Sequence, residues 1–519
     1  MNIPTTLLEL YNKILDRAEE FGYLEEKNAL FRDCITEKSK NSSSVRTPNP
    51  DEANFWFGFI REDQGKTGAY DGLSFVIFPE EKGDHCLVSI GIGSSSLGKD
   101  GDLASNPGFR RSFMRLIKKG DSDAKFFFKL RFDNMETSTP GLQEELYSID
   151  DKGNNLYEDI LKNTSTKYNA DSSKEAPGLL PAAFIVNYNT VDGWNLIVAW
   201  LAQYARWRCW DKFGTGGDKV GKANNINKAI SECRVSIDCP TPQKIYEILE
   251  NKKYVVLQGA PGCGKTWSAN EVADSVSTTS QKKNFAEVVF TQFHAETTYS
   301  DFVYGIRPTL NGSTLAYKGE KGVLLKAIDK ANEVAKKDPN GKVLLVIDEI
   351  NRANLANVLG PVFYLFEPNA ARDHKLSIGT QWNKDKEEEI TLDKLPDNLY
   401  VLATMNTADK SLAVVDFALR RRFSWVTLYP HKLATNQYPD FDKELFDKVD
   451  QLFSLYATDE ELNLQPGQSY FMDKNKRQEN IEYGLMPLMK EYFAEGFLLS
   501  AKEELAQLFT SETGSYMYK

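Results

Sequence analysis

The sequence predicts an α/β fold built on a parallel β-sheet in its C-terminal half, with a helical lid after it and an α+β domain in front. From Tyr254 onward, short apolar runs such as YVVLQ and VLLVIDEI alternate with longer amphipathic stretches. This alternation is typical of a parallel sheet that helices cover on both faces. Beyond Pro430, helical periodicity returns in KELFDKVDQLFSLYA and IEYGLMPLMKEYFAEGFLLSAKEELAQLF, which predicts the lid.

A chain of 519 residues is too long for one ordinary core, because a domain takes about 150 residues. Between residues 54 and 92, aromatic and β-branched residues alternate with turn signals, which indicates short strands. The tryptophan-rich segment DGWNLIVAWLAQYARWRCW predicts a buried helix, and the glycine- and asparagine-rich run KFGTGGDKVGKANNIN predicts a mobile linker. We assign residues 1–211 to an α+β recognition domain, 212–230 to a linker, 231–430 to the parallel α/β domain and 431–519 to the lid.

Bulk properties exclude several classes of protein. The formal net charge of -11 means that any nucleic-acid contact requires a local basic patch. The six cysteines are scattered without a CxxC pair, which argues against a zinc ribbon or a disulfide framework. The N-terminus has no export-signal pattern, and the longest apolar stretch, residues 196–202, is far shorter than the ~20 residues of a membrane span. We expect a cytoplasmic protein without a membrane segment.

A phosphate-binding loop follows the first apolar run. The string GAPGCGKT matches GxxxxGK[ST] between a predicted strand and a predicted helix, the context that the motif requires. In such a loop the backbone N–H groups face the phosphates, Lys265 adds a positive charge, and the Thr266 hydroxyl ligates magnesium. A chance glycine-rich turn is the disfavoured alternative. The predicted nucleotide contacts are Gly259, Pro261, Gly262, Cys263, Gly264, Lys265, Thr266 and Trp267.

Two further strands end in polar side chains at the same predicted edge of the sheet. VLLVIDEI delivers Asp348 and Glu349 to the carboxyl edge, where ligands bind in such sheets. We expect Asp348 to hold magnesium and Glu349 to polarise the attacking water. LYVLATMN ends in Asn406, whose amide could orient that water. Taken alone, these residues could be a solvated strand end and a turn former, but the upstream P-loop favours the catalytic interpretation.

Three arginines stand at a predicted helix end in ALRRRF, residues 418–423. Arginine stabilises the negative charge that develops on a transferring phosphoryl group, so we expect one of these side chains to act across a subunit boundary. A solvated basic helix end that complements the helix dipole is the alternative.

These motifs indicate a P-loop NTPase of the AAA+ type, and the chain from Tyr254 to its end resembles the McrB family of GTP-dependent motor subunits in modification-dependent restriction systems. The resemblance is carried by GAPGCGKT, FTQFHAETTYSDFVYGIRP, IDEINRANLANVLG and ATMNTADKSLAVVDFALRRRF. It implies that Asn406 and Asp409 belong to an MNTxD signature, that Asp409 assists partner-stimulated hydrolysis, and that Arg421 and Arg422 are finger candidates. It also implies Mg²⁺ as cofactor, a hexameric ring, and an McrC-like partner that carries the nuclease.

The sequence departs from the family pattern at two positions. Lys410 stands where the family usually has arginine, and Gln468, in GQSYF, stands where histidine is expected. Guanine preference rests on the resemblance, because the NKxD motif of Ras-type GTPases is absent and the residues by themselves default to ATP. We favour GTP as the substrate and keep ATP as the alternative.

The N-terminal domain is expected to bind DNA, because the domains in front of such motors choose the target. Between Phe109 and Phe132, eight basic residues are interleaved with six phenylalanines. This pattern fits phosphate contacts with base stacking, and it fits equally an amphipathic helix and strand whose phenylalanines fill a core. The spacing of Trp200, Trp207 and Trp210 allows an aromatic pocket but favours core packing.

Three functions remain open at this stage. The leading hypothesis is a GTP-hydrolysing motor of a restriction or anti-phage complex. A MoxR-like, ATP-driven remodeller would use the same pocket to act on protein. A nucleotide-gated DNA-binding scaffold would bind nucleotide without requiring its hydrolysis.

Overall fold

A computed structural model of the chain describes residues 3–25, 27–33, 57–60, 73–79, 84–92, 107–116, 124–128, 179–213, 216–234, 239–276, 283–311, 314–367, 375–383, 386–408 and 417–517. The chain forms two compact units, Met1–Ser236 with Ser454–Thr458, and Ile237–Phe453 with Asp459–Lys519. Within the described ranges, no helix is both long enough and apolar enough to cross a bilayer.

The first unit is built on a six-stranded antiparallel sheet in the order β1-β2-β3-β4-β6-β5. Tryptophans between residues 200 and 210 help to fill its core. Trp200 and Trp210 are buried, and the partly buried Trp207 packs against Phe109. The α+β fold and the core interpretation of these tryptophans are therefore confirmed. The elements are α1 (Leu7–Glu20), β1 (Leu30–Asp33), β2 (Phe57–Ile60), β3 (Leu73–Pro79), β4 (His85–Ile92), α2 (Pro107–Met114), β5 (Lys125–Phe128), β6 (Leu179–Asn187), α3 (Val191–Trp207) and α4 (Gly216–Cys233).

The basic and aromatic segment between residues 109 and 132 is described only in part. Phe109 and Phe113 of α2 are fully buried, which favours core packing for these two side chains. The backbone of Lys125–Phe128 forms β5 at the edge of the sheet. Residues 117–123 and 129–132 lie outside the described residues, so the DNA-binding interpretation of this segment stays a prediction.

The linker predicted at residues 212–230 is wrong, because residues 216–233 form α4. Ile226, Ala229, Ile230 and Cys233 recur at helical spacing on this element and are buried in the core of the first unit. Most of the lysines and asparagines that suggested a mobile connection lie on the exposed side of the helix. The polar composition of this segment predicted the wrong structure, because one buried stripe of apolar residues stabilises a helix even when its residues have low intrinsic helix propensity.

The second unit contains a five-stranded parallel sheet in the order β15-β7-β14-β11-β8. Leu344 and Val346 pack on one face with α5 and α6, whereas Leu345 and Ile347 pack on the other with α8 and α9. The predicted parallel α/β fold is confirmed. Its elements are α5 (Pro242–Lys252), β7 (Tyr254–Gly259), α6 (Lys265–Asp274), β8 (Glu287–Gln292), α7 (Tyr299–Phe302), α8 (Val323–Lys337), β11 (Val343–Asp348), α9 (Leu355–Leu359), β14 (Leu399–Asn406), α10 (Phe417–Arg422) and β15 (Ser424–Leu428).

Two β-hairpins interrupt the alternation of strands and helices. The first pairs β9 (Tyr304–Asn311) with β10 (Thr314–Lys321), and the second pairs β12 (Leu376–Asn383) with β13 (Lys386–Leu392). The hydroxyl of Tyr304 in the first hairpin donates to the carbonyl oxygen of Thr380 in the second. Neither hairpin was predicted from the sequence.

The C-terminal region is helical, as predicted. It contains α11 (Lys443–Tyr456), α12 (Arg477–Glu479), α13 (Met486–Ala494) and α14 (Lys502–Thr513). Arg477 links these elements through hydrogen bonds to the carboxylates of Asp442, Glu444 and Glu512. Residues 459–519 share a compact unit with the parallel sheet, and the domain boundary proposed at 430/431 stays a prediction.

Replacing Ile226 by alanine is expected to lower the free energy of unfolding by about 2–5 kcal/mol, because this α4 side chain is 2% exposed and its loss leaves a cavity. Val220→Ala is the matched control on the same helix, since Val220 is 62% exposed and its loss should change stability by less than about 0.5 kcal/mol. Chemical denaturation of the full chain measures both variants. Two equally small changes would contradict a packed helix at this place.

Candidate nucleotide site

The P-loop connects the end of β7 to the start of α6. Gly262 and Gly264 have φ angles of 76° and 85°, a left-handed conformation that glycine adopts without a steric penalty. Lys265 is buried, and its Nζ donates to the carbonyl oxygens of Gly259 (3.0 Å) and Ala260 (2.8 Å). The loop therefore closes around the lysine at the N-terminus of a ten-residue helix, where backbone N–H groups attract anions.

The side chains that flank this lysine differ in exposure. Trp267, one residue beyond Thr266 on α6, is half exposed. Cys263 is buried, and burial raises the pKa of its thiol, which keeps it protonated at neutral pH. The cysteine of the loop is therefore a packing residue and not a reactive thiolate.

Asp348 joins the P-loop to the neighbouring strands. Its Oδ1 accepts hydrogen bonds from Oγ1 of Thr266 (3.0 Å) and from Oγ1 of Thr404 (2.5 Å). The carboxylate is buried at the end of β11, and these two hydroxyls compensate the loss of water. A carboxylate oxygen and a hydroxyl oxygen thus lie next to each other, and Mg²⁺ prefers oxygen ligands of this type. The residues predicted to ligate magnesium, Thr266 and Asp348, are in direct contact.

Glu349 has a strained backbone beside this carboxylate. Its φ angle is 55°, in the left-handed region that residues with a Cβ rarely adopt. Its N–H donates to Oγ1 of Thr404 (3.0 Å), and its Oε2 lies 3.3 Å from Nε of Arg352. The hydroxyl of Thr404 therefore holds both members of the acidic pair. Sequence reasoning missed Thr404, although a hydroxyl inside the apolar run LYVLATMN was a visible signal.

Asn406 ends β14, which lies between the P-loop strand β7 and the acidic strand β11. It pairs in register with Gly259, and the next residue, Thr407, donates its N–H to the Gly259 carbonyl (3.1 Å). The amide of Asn351 donates to the carbonyl oxygen of Asn406 (3.1 Å). The asparagine predicted to orient water thus lies at the same sheet edge as the P-loop and Asp348. Asp409 and Lys410 lie outside the described residues.

The arginines of α10 form a separate cluster around Glu367. Arg421 is 65% exposed and lies 3.1 Å from the Glu367 carboxylate, whereas Arg422 is 9% exposed and lies 3.4 Å from the same oxygen. Arg420 stacks over the ring of Trp425 at 5.5 Å. The side chain of Arg421 is therefore more available to another molecule than that of Arg422.

Known proteins are similar to parts of this chain. Residues 254–423 match the AAA domain of the dynein-related subfamily. Over 274 residues the chain is 34% identical to the type IV methyl-directed restriction enzyme EcoKMcrB subunit of Escherichia coli K12, covering 49% of this chain and 56% of that protein. Over 90 residues it is 39% identical to the type II restriction enzyme BsuMI component YdiS of Bacillus subtilis 168, covering 16% and 25%. The chain thus spans about half of the first relative and a quarter of the second.

Some solved structures are also similar to part of this chain. PCH-2 of C. elegans is 16% identical over 50% of this chain and 66% of that chain, but its TM-score of 0.21 is too low to support an argument.

The parallel sheet, the P-loop, the acidic strand end and the AAA domain match define a P-loop NTPase of the AAA+ class. Within this class, the chain is similar to components of restriction enzymes. The AAA domain of this chain and about half of its length resemble the McrB subunit, in agreement with the resemblance found in the sequence.

The strain at Glu349 leads to a test by substitution. Glu349→Gly and Glu349→Ala both remove the carboxylate, but only glycine adopts a φ of 55° without a penalty. We expect the glycine variant to be more stable than the alanine variant by about 1 kcal/mol. Chemical denaturation compares the two. A less stable glycine variant would show that this backbone conformation carries no strain.

Proposed function

We propose that this chain is the GTP-hydrolysing motor subunit of an McrBC-like restriction or anti-phage complex. The observation that carries the proposal is the hydrogen bond between Thr266 and Asp348, because it joins the phosphate-binding loop to the acidic pair that hydrolysis requires. The restriction context is supported by two relatives whose names describe components of restriction enzymes.

In the proposed mechanism, the backbone N–H groups of the P-loop and the Nζ of Lys265 bind the phosphates of the nucleotide. Oxygens of Thr266 and Asp348 would hold magnesium, which would supply positive charge that offsets the negative charge of the phosphates. Glu349 polarises the attacking water, and Asn406 orients it from the adjacent strand. Asp409 assists when the partner stimulates hydrolysis.

Two substitutions separate binding from turnover. Lys265→Ala is expected to abolish nucleotide binding, whereas Glu349→Gln should keep binding but lower the hydrolysis rate by at least about 100-fold. Glu320→Gln is a control of the same chemistry on the exposed β10. Titration with labelled GTP and steady-state phosphate release measure the two effects. Full activity of Glu349→Gln would instead support a nucleotide-gated scaffold.

The proposal also covers the nucleotide base that the chain prefers and the molecules that it binds. We propose that GTP is preferred to ATP, that residues 1–211 bind DNA bearing a modification, and that an McrC-like nuclease subunit binds the assembled ring.

Hydrolysis of GTP and of ATP should be compared with and without modified DNA and a candidate nuclease subunit. We expect GTP hydrolysis that the nuclease subunit stimulates. A strong ATP preference that is independent of nuclease would favour a MoxR-like remodeller.

We propose that Arg421 is the finger that acts on the nucleotide of a neighbouring subunit in a hexameric ring, because its side chain is exposed while that of Arg422 is packed beside Phe363. Arg421→Ala is expected to lower kcat by about 1,000-fold or more while nucleotide affinity stays near wild type. Arg422→Ala should instead lower thermal stability.

Mixing two inactive chains tests whether this arginine acts across a boundary. Arg421→Ala chains retain Glu349, and Glu349→Gln chains retain Arg421, so mixed rings contain some interfaces with both groups. Mixing should restore part of the phosphate-release activity. No recovery in rings shown to be mixed by native mass spectrometry would contradict an arginine that acts in trans.

A further inference from the structure

The lid contacts the P-loop through residues 467–469, which we call the lid clasp. Three consecutive carbonyl groups of the P-loop accept hydrogen bonds from these three consecutive residues. The bonds join Gly467 N–H to Pro261 (2.9 Å), Gln468 Nε2 to Cys263 (2.9 Å) and Ser469 N–H to Gly262 (3.1 Å).

The contact between clasp and loop is closely fitted. A Cβ atom at Gly467 would stand 2.1 Å from the backbone nitrogen of Cys263, and one at Gly262 would stand 2.2 Å from Oγ of Ser469. Gln468 is only 8% exposed, so its amide meets the loop away from bulk water. A hydrogen bond in such surroundings is costly to lose, because the partner left behind is desolvated.

The bonded carbonyls control the direction of the groups that bind phosphate. In a trans peptide the C=O and N–H groups point to opposite sides of the chain. The carbonyls of residues 261–263 share their peptide planes with the N–H groups of residues 262–264. Bonds from the clasp to these carbonyls therefore direct the N–H groups of residues 262 and 264 to the opposite side of the loop, while the N–H of Cys263 donates to the carbonyl oxygen of Ala260 (3.5 Å). In a P-loop, such N–H groups cradle the α- and β-phosphates.

We propose that Gln468 is a positioning residue that sets nucleotide affinity through the carbonyl group of Cys263, without touching the nucleotide. The inference rests on the proposed nucleotide-binding function. Displacement of the lid releases the peptide planes of the loop and weakens phosphate binding. By linkage, a bound nucleotide stabilises the seated lid to the same extent.

Gln468→Met tests this role, because methionine has a similar size and no donor. We expect it to bind GTP, ATP and GDP about 3- to 10-fold more weakly, with the same factor for all three, since each has the two phosphates that the loop cradles. During hydrolysis KM should rise while kcat stays near wild type. Gly467→Ala should weaken binding further, because its methyl group would collide with Cys263. Fluorescence titration with labelled nucleotides measures each affinity.

Gln465→Met is the matched control. Gln465 is another buried glutamine of the lid, but its amide donates to Asp450 (3.0 Å), so its loss should lower thermal stability and leave nucleotide affinity near wild type. The inference fails if Gln468→Met binds all three nucleotides like wild type, or if the loss is confined to guanine nucleotides or to triphosphates, since either pattern indicates direct contact. The proposed function itself fails if the wild-type chain binds no nucleotide, or if Lys265→Ala binds as well as wild type.

Discussion

The buried carboxylate of Asp348 is the constraint on which the rest of the site depends. A carboxylate at the end of an apolar strand requires hydrogen-bond donors, and the protein supplies two hydroxyls, one from the P-loop helix and one from β14. These bonds connect three segments that are far apart in the sequence. The second hydroxyl, of Thr404, also accepts the N–H of Glu349. One chain of hydrogen bonds therefore positions both members of the acidic pair against the loop.

The P-loop is held from two sides. On the sheet side, the bond from Thr266 to Asp348 and the bond from Thr407 to Gly259 connect it to the neighbouring strands. On the other side, residues of the lid hold its carbonyl groups. In the proposed control of nucleotide affinity, a change in the position of the lid acts on the phosphate site through these carbonyl groups.

Motifs with a short, fixed spacing were predictable from the sequence. The glycines at 262 and 264, the acidic pair after an apolar run, and Asn406 at a strand end follow local rules, and parallel strands bring their ends to one edge. Thr404 and Asn351 were missed because their partners lie about 55 residues away and only the register of β14 with its neighbours brings them together. The two hairpins were missed although apolar residues alternate in their strands, as Tyr304, Ile306 and Leu310 do in the first.

The error at α4 has a different origin. Composition assigned the region of α4 to a linker, but four apolar residues at helical spacing outweighed many polar neighbours. Gln468 stood out in the sequence only as a departure from a pattern. In the structure its Nε2 donates to the carbonyl oxygen of Cys263, between the two backbone bonds that Gly467 and Ser469 make to the loop.

The left-handed conformation at position 349 favours a residue other than the glutamate on which the proposed mechanism depends. Glycine fits this backbone better than glutamate does, yet it lacks the carboxylate that the proposed chemistry uses. Under the proposed mechanism, a directed-evolution screen that scored heat resistance alone would therefore enrich glycine at this codon at the expense of hydrolysis. Under the same mechanism, selection for hydrolysis is what retains glutamate there.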